Sequence, residues 1–182
     1  MNDKDKHLLL NLARNVLENY FKDIDPDTTE CSHLTMLRGC FVTLYKNRML
    51  RGCIGFPRPV MPLFEQVIAA TKAAAFEDPR FDPVIDEELK SIKIEISILT
   101  APKLMKVSSQ DDYLNNVHIG QDGLIMHYKN STGLLLPQVA TENHFRPLQF
   151  LEALCIKAGL PRDCWKQNEC IIYKFQAEIF SE

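Results

Sequence analysis

The sequence predicts an α+β fold in which a mainly antiparallel sheet is flanked by helices. The first observation is the alternation of isoleucine with polar residues over 92–98, which is typical of a half-buried antiparallel strand. The second is a pair of short polar turns, 46–48 and 129–132, each lying between two strand-like runs. The third is a set of amphipathic stretches with helical period.

The order of the elements follows from the apolar spacing and the turn residues. A helix is predicted at about 5–21, followed by a polar loop and a hairpin at 40–54. A second helix at about 62–77 ends before the prolines at 79 and 83, because a proline disfavours a helical residue before it. The remaining predictions are a strand at 92–98, a hairpin at 124–136, a helix from 147 that Gly159 terminates, and a closing strand at 171–179.

Length and composition are those of an ordinary globular protein. The 182 residues suit one domain, and 46% of them are hydrophobic and 25% charged. The net charge of −3, without a basic run, argues against general nucleic-acid binding, which needs clustered cations to neutralise phosphates. No apolar run approaches the roughly 18 residues of a membrane span, and the polar N-terminus does not resemble an export signal. We therefore expect a cytoplasmic protein that does not bind membranes.

The cysteines are expected to be thiols in that compartment. No C-x-x-C pair and no H-x-x-x-H pair occurs, and glycine-rich nucleotide motifs are absent. We therefore predict no metal and no cofactor. The six cysteines are Cys31, Cys40, Cys53, Cys155, Cys164 and Cys170.

Four motifs along the chain resemble one known family. In chain order they are Leu50-Arg51-Gly52-Cys53-Ile54-Gly55, Asp78-Pro79-Arg80-Phe81, Leu135-Leu136-Pro137-Gln138-Val139-Ala140 and Lys157-Ala158-Gly159-Leu160. Together they resemble the AMMECR domain family, which is named after a human chromosomal deletion region. The likeness runs over about 8–180. The hexapeptide is the most specific motif, and the last two resemble the microbial branch of the family.

The resemblance implies one domain over 1–182 built from two lobes. A smaller lobe would lie within about 59–111, a larger lobe would hold both termini, and the hexapeptide would lie near their junction. The resemblance also implies association with Memo-like and radical-SAM-like proteins. It brings no established reaction, because the family is biochemically unassigned.

Cys53 is the strongest candidate for a catalytic nucleophile. A thiol becomes a nucleophile when nearby positive charge or a helix N-terminus stabilises its thiolate. On a regular strand Arg51 and Cys53 share one face, and Arg58 lies just before the next helix. The alternative is that Cys53 is a small buried core residue, which is the usual role of a free cysteine.

Two further arginines bear on anion binding. Arg51 and Arg80 are suited to gripping a carboxylate or a phosphate through two parallel hydrogen bonds. For Arg80 the sequence favours a structural ion pair with Asp78 or Asp82. For Arg51 it favours contact with a ligand, with a buried ion pair as the alternative.

Gly52 and Gly55 would let a ligand approach backbone N–H groups and form an anion cradle, and ordinary turn chemistry is an equal alternative. Arg-Gly-Cys also occurs twice, at 38–40 and 51–53. The repeat indicates either chance or a shared need for close backbone approach.

Later in the chain, Gln138 and Glu142 would lie one turn apart if Pro137 opens a short helix. Gln138 would contact substrate, and Glu142 would act as a general base if partly buried. An exposed helix pair is an equal alternative. The histidines at 118, 127 and 144 are lone and are expected to be structural or exposed.

Two functions are compatible with these residues. The first is an enzyme or enzyme component that acts on a small anionic metabolite or modified nucleotide in a cleft between the lobes. The second is a binding or adaptor module without turnover that works with a Memo-like or radical-SAM-like partner. The reactivity of Cys53 separates the two.

Overall fold

The structure is a computed structural model that describes residues 1–58 and 61–182. The chain divides into two units: unit 1 comprises 1–99 and 178–182, and unit 2 comprises 100–177. The smaller lobe expected at about 59–111 begins at positions that lie outside the described residues, and this lobe division stays a prediction.

Among its described residues, unit 1 contains two α-helices and a sheet of three antiparallel strands in which the first strand is central. Helix α1 (Asp3–Tyr20) is followed by strands β1 (Cys40–Lys46) and β2 (Met49–Phe56), helix α2 (Leu63–Phe76) and strand β3 (Ile92–Leu99). β1 pairs with β2 on one side and with β3 on the other, both antiparallel. β2 is therefore an edge strand of this three-stranded sheet.

The β1–β2 hairpin has the turn that its sequence predicted. Asn47 and Arg48 both have positive φ, 52° and 65°, which is the backbone of a two-residue turn that matches the twist of the flanking strands. The strand pairing places Lys46 directly opposite Met49.

The sheet of unit 1 has one apolar and one polar face, because alternate residues of a strand point to opposite sides. On the apolar face the fully buried side chains of β1 and β3 form one core with residues of α1 and α2. These strand residues are Cys40, Val42, Leu44, Ile92, Ile94, Ile96 and Ile98. The opposite face carries Phe41, Thr43, Tyr45, Cys53, Glu95 and Ser97.

Close packing of α2 on β2 explains a glycine in the hexapeptide. A Cβ at Gly52 would lie 2.0 Å from the backbone oxygen of Ala74 in α2. Gly39, in the other Arg-Gly-Cys copy, would meet the backbone oxygen of Pro57 at 2.6 Å. Of the two explanations for the repeat, the shared need for close backbone approach is therefore the one observed.

Unit 2 has its own strands, helices and core. Its strands are β4 (Lys103–Leu104), β5 (Asp122–Tyr128), β6 (Ser131–Leu135) and the first part of β7 (Ile171–Ser181), and its helices are α3 (Gln110–Asn116), α4 (Pro137–Glu142) and α5 (Pro147–Lys157). β5 lies between β6 and β7, and both pairs are antiparallel. Phe150, Leu151 and Leu154 of α5 belong to the core of this unit.

The predicted α+β class with antiparallel strands is confirmed, and 92–98 is a strand as expected. The sequence missed β4 and α3, which are short and polar and carry no clear periodicity. No helix among the described residues combines the length and the apolar character needed to cross a bilayer.

The expectation of six thiols is wrong for one pair. Cys155 of α5 and Cys164 form a disulfide with a Cα–Cα distance of 6.0 Å. Both residues are buried in the core of unit 2, and the loop after α5 brings them together although nine positions separate them. Cysteines nine positions apart form no recognisable motif, because their pairing depends on the path of that loop.

We predict that Gly52→Ala lowers the free energy of unfolding by about 3 kcal/mol, because a methyl group at this position overlaps the backbone of α2. Urea denaturation measures the change. Met49→Ala is the control on the same strand, since Met49 is 69% exposed, and it should stay within about 0.5 kcal/mol of the parent protein. Equal stability of the two variants would contradict the close packing.

Candidate functional site

Two side chains form hydrogen bonds with the backbone of edge strand β2 at Cys53. Cys53 lies opposite Thr43 of β1, and its peptide groups point away from that strand. Its N–H donates to Oδ2 of Asp78 at 2.9 Å, and its carbonyl accepts from Nη2 of Arg80 at 3.2 Å. The Asp-Pro-Arg-Phe motif after α2 thus provides hydrogen-bond partners for the backbone N–H and C=O of Cys53 in the hexapeptide.

Asp78 and Arg80 form the ion pair that the sequence favoured for Arg80. Nε and Nη2 of Arg80 donate to the two carboxylate oxygens at 2.9 and 2.7 Å, and the backbone N–H of Arg80 adds a third bond at 3.1 Å. The side chain of Asp78 is only 2% exposed. Hydrogen bonds from Arg80 hold the pKa of Asp78 well below its usual range, against the effect of burial, so the carboxylate stays ionised.

The thiol of Cys53 lies in a polar and charged environment. The hydroxyl of Thr43 donates to Sγ at 3.3 Å. Hydrogen bonding to Asp78 raises the pKa of Arg80, and the nearby thiol of Cys53 adds a smaller contribution in the same direction. Cys53 is half-buried, whereas the other three free cysteines are buried. The thiol is therefore accessible and lies beside a permanent positive charge.

A carboxyl group lies in the same row of the sheet as this thiol. Cys53 of β2 is opposite Thr43 of β1, and Thr43 is opposite Glu95 of β3. Burial raises the pKa of Glu95, an effect that the hydroxyl of Tyr45, 3.5 Å from Oε1, partly opposes. The row Cys53–Thr43–Glu95 thus combines a thiol, a hydroxyl and a carboxyl group on one face.

Sequence reasoning missed Thr43 and Glu95. In the sequence Glu95 is one polar residue of the isoleucine alternation, and Thr43 is one residue of a predicted strand. A usable signal did exist: a glutamate flanked by Ile94 and Ile96 must lie on the face opposite the core. The register that aligns it with Cys53 was not deducible, since it requires the pairing of three strands.

Arg51 has the ion-pair geometry that the sequence left as its alternative. Nε and Nη2 donate to the two oxygens of Glu88 at 3.1 and 2.8 Å, and Nη1 donates to the carbonyl of Asp82 at 2.8 Å. The side chain is 15% exposed. These contacts tie β2 to the segment before β3, and anion binding by Arg51 stays a prediction.

The other residues proposed around Cys53 have different environments. Gly55 lies within β2, and a Cβ there would be 2.3 Å from the backbone oxygen of Cys40, so its lack of a side chain allows the close approach of β1. Arg58 is exposed at the end of the hairpin strand. A cradle of backbone N–H groups at the two glycines also stays a prediction.

Gln138 and Glu142 lie on α4 of unit 2, which Pro137 opens as predicted. The side-chain oxygen of Gln138 is buried and has no hydrogen-bond partner among the described residues. Glu142 is exposed, so the partial burial required of a general base is not observed. His118, expected to be lone, is 3.2 Å from the buried carboxylate of Asp122.

Over 1–58 and 61–182, no group of three or more histidine, cysteine, aspartate or glutamate side chains is arranged to hold a metal ion.

The comparison with known proteins identifies the family. A model of the AMMECR1 family matches residues 10–180. The chain belongs to the AMMECR1 family. Protein MJ0810 of Methanocaldococcus jannaschii is 47% identical over 175 residues, covering 93% of this chain and 86% of that protein. Protein Ta0236 of Thermoplasma acidophilum is 46% identical over 174 residues, covering 94% of this chain and 84% of that protein.

A solved structure is similar over the whole chain. The crystal structure of the uncharacterized protein PH0010 from Pyrococcus horikoshii has a TM-score of 0.86 and 40% sequence identity, covering 100% of this AMMECR1-family chain and 93% of that one. These relatives support the family and the fold, and their names assign no reaction.

We predict that Arg51→Ala destabilises the AMMECR1-family chain by about 3 kcal/mol, because removal of the guanidinium leaves the half-buried carboxylate of Glu88 without its main partner. Thermal unfolding and phosphate binding by calorimetry should be measured on the same variant. Arg58→Ala, at an exposed position, is the control and should cost less than about 0.5 kcal/mol. An Arg51→Ala variant of normal stability with weakened phosphate binding would instead support the ligand role.

Acid should weaken this pair in a defined range. Arg51 is the main cause that lowers the pKa of Glu88 to about 2 from its ordinary value of 4.5. The ionised carboxylate of Glu88 contributes about 2 kcal/mol to the free energy of unfolding after allowance for solvent screening. This stabilisation is fully present above pH 4.5 and is lost as the pH falls through about 2. The stability difference between the parent and Glu88→Gln should therefore shrink over this range in urea titrations. A difference that stays constant would contradict the ion pair.

Proposed function

We propose that this AMMECR1-family chain is an enzyme, or an enzyme component, that acts on a small anionic metabolite or a modified nucleotide with the Cys53 thiol as nucleophile. The observation that carries the proposal is the position of the Arg80 guanidinium, which donates two hydrogen bonds to Asp78 and one to the carbonyl of Cys53 and is thereby held beside the thiol. A fixed cation next to an accessible cysteine is the environment that stabilises a thiolate.

The hydroxyl of Thr43 supports the same role. It lies 3.3 Å from Sγ and donates to it, and a hydroxyl donor stabilises a thiolate more than a neutral thiol. Because Thr43 is buried on β1, the central strand of the three, its position relative to Cys53 is set by the strand pairing. The nucleophile is thus held by regular structure on two strands.

Arg80 also accounts for the preference for an anion. Its side chain is 53% exposed although it is held by Asp78. Nε and Nη2 make these hydrogen bonds, whereas Nη1 makes none with the residues that the structure describes. A carboxylate or phosphate at this exposed end of the guanidinium would lie close to the thiol.

A second candidate function, an adaptor for a Memo-like or radical-SAM-like protein, is favoured by exposed apolar side chains in unit 1. Met49 is 69% exposed, Leu50 40% and Ile85 54%. If these side chains form one contiguous patch, the patch would be a site for protein–protein interaction. This function requires no reactive cysteine, and the reactivity of Cys53 therefore distinguishes the two.

We predict that Cys53 is alkylated before the buried Cys31, Cys40 and Cys170, and that it favours an anionic reagent. The rates for iodoacetate and iodoacetamide should be followed by peptide mass spectrometry in the folded and in the urea-unfolded protein. The ratio of the iodoacetate rate to the iodoacetamide rate should be about five- to tenfold higher in the folded protein, because Arg80 attracts the carboxylate.

Two pairs of variants control this experiment. Arg80→Gln should abolish the enhanced ratio, whereas Arg80→Lys, which keeps the charge, should retain part of it. Thr43→Val should slow both reagents about three- to fivefold, and Thr43→Ser, which keeps the hydroxyl, should not. A folded protein in which Cys53 is inert, or whose rate ratio equals that of the unfolded chain, would refute the enzyme and favour the adaptor.

A further inference from the structure

The geometry of unit 1 points to Glu95 as an acid–base catalytic residue that works with Cys53 in acyl transfer on small esters or amides. This inference rests on the proposed function, because it takes the thiol of Cys53 as the nucleophile. It assigns a reaction class to the polar face of the sheet.

The register sets the spacing between the two groups. Cys53, Thr43 and Glu95 are direct neighbours across three antiparallel strands, and all three side chains project from the same face. Adjacent strands lie roughly 4.8 Å apart, so the Cα atoms of the outer two residues are about 10 Å apart. The reaction requires a carbonyl carbon beside Sγ of Cys53 and its leaving atom on the Glu95 side of Thr43.

The environment of Glu95 suits proton transfer. Its side chain is half-buried, and burial raises the pKa of its carboxyl group, so the carboxyl holds a proton more readily than an exposed glutamate does. Tyr45 lies 3.5 Å from one carboxyl oxygen and orients it. No basic residue is bonded to Glu95 among the described residues, in contrast to Glu88, which binds both Arg51 and Lys46.

The reaction balances with these two groups and water alone. The thiolate of Cys53 attacks the carbonyl carbon and forms a C–S bond, while the C–O or C–N bond breaks. The leaving group departs with the bonding electron pair and takes the proton of Glu95. Water then attacks the thioester, the carboxylate of Glu95 takes a proton from it, and the thiolate leaves with the C–S electron pair.

The pairing also indicates which substrates need Glu95. A leaving alkoxide or amine must be protonated as it departs, whereas a stabilised phenolate need not be. Natural substrates would be alkyl esters or amides, with an anionic group placed to meet Arg80. An activated phenyl ester bypasses the acid step but not the later step in which Glu95 acts as a base.

p-Nitrophenyl acetate therefore separates the two roles. We expect the parent protein to release a burst of p-nitrophenolate equal to the enzyme concentration, followed by steady turnover. Glu95→Gln should keep the burst, lower the turnover at least about tenfold, and accumulate an acetyl group on Cys53 that mass spectrometry detects. Cys53→Ala should lose both phases.

Glu65→Gln is the matched control, because Glu65 is an exposed carboxylate on α2 in the same unit, and it should leave both phases unchanged. Far-ultraviolet circular dichroism and thermal unfolding verify that each variant is folded. Absence of the burst in the parent protein would overturn the nucleophile and with it this inference. A burst without turnover in the parent, or an unchanged turnover in Glu95→Gln, would overturn the role of Glu95 and leave the reactive thiol intact.

Discussion

The ion pair between Asp78 and Arg80 is the interaction on which the candidate site depends. The edge of a β-sheet leaves backbone groups unpaired, and such groups must be satisfied or exposed to water. At Cys53 one oxygen of Asp78 takes the N–H and Arg80 takes the carbonyl, while the two side chains bind each other. The same contacts that close the edge also fix a guanidinium beside the thiol. Loss of either partner would therefore affect structure and chemistry together.

Two arginines of the family motifs, Arg51 and Arg80, differ in how far their surroundings cover them. Arg51 is largely covered, and its N–H groups donate hydrogen bonds to Glu88 and to the backbone carbonyl of Asp82. Arg80 is bound just as firmly on one side but leaves about half of its side chain exposed. A guanidinium that is fixed and still accessible can meet a ligand, whereas one that is fully engaged stabilises the fold. The distinction depends on exposure and on the number of occupied donors.

The two faces of the three-stranded sheet in unit 1 differ, because one builds the core and the other carries the candidate site. The isoleucines of β3 build the core, and Glu95, which alternates with them, faces the other way. Gly52 lets α2 pack directly on β2, so the strand that carries Cys53 is held from the core side. A rigid sheet supported in this way keeps the row from Cys53 to Glu95 in place without the help of mobile loops.

The sequence by itself determined the fold class, most of the elements and the family, because period-2 and helical patterns, turn residues and the four motifs are local signals. It also indicated Cys53 and the pairing of Arg80 with Asp78, which is only two positions away. It favoured ligand contact for Arg51, because Glu88 is 37 positions away and no local pattern indicates their ion pair. The disulfide between Cys155 and Cys164, the partner of Arg51 and the alignment of Glu95 with Cys53 were decided by the tertiary structure. These contacts join residues 9 to 42 positions apart, and strand register and loop paths, which depend on the packing of the whole unit, bring them together.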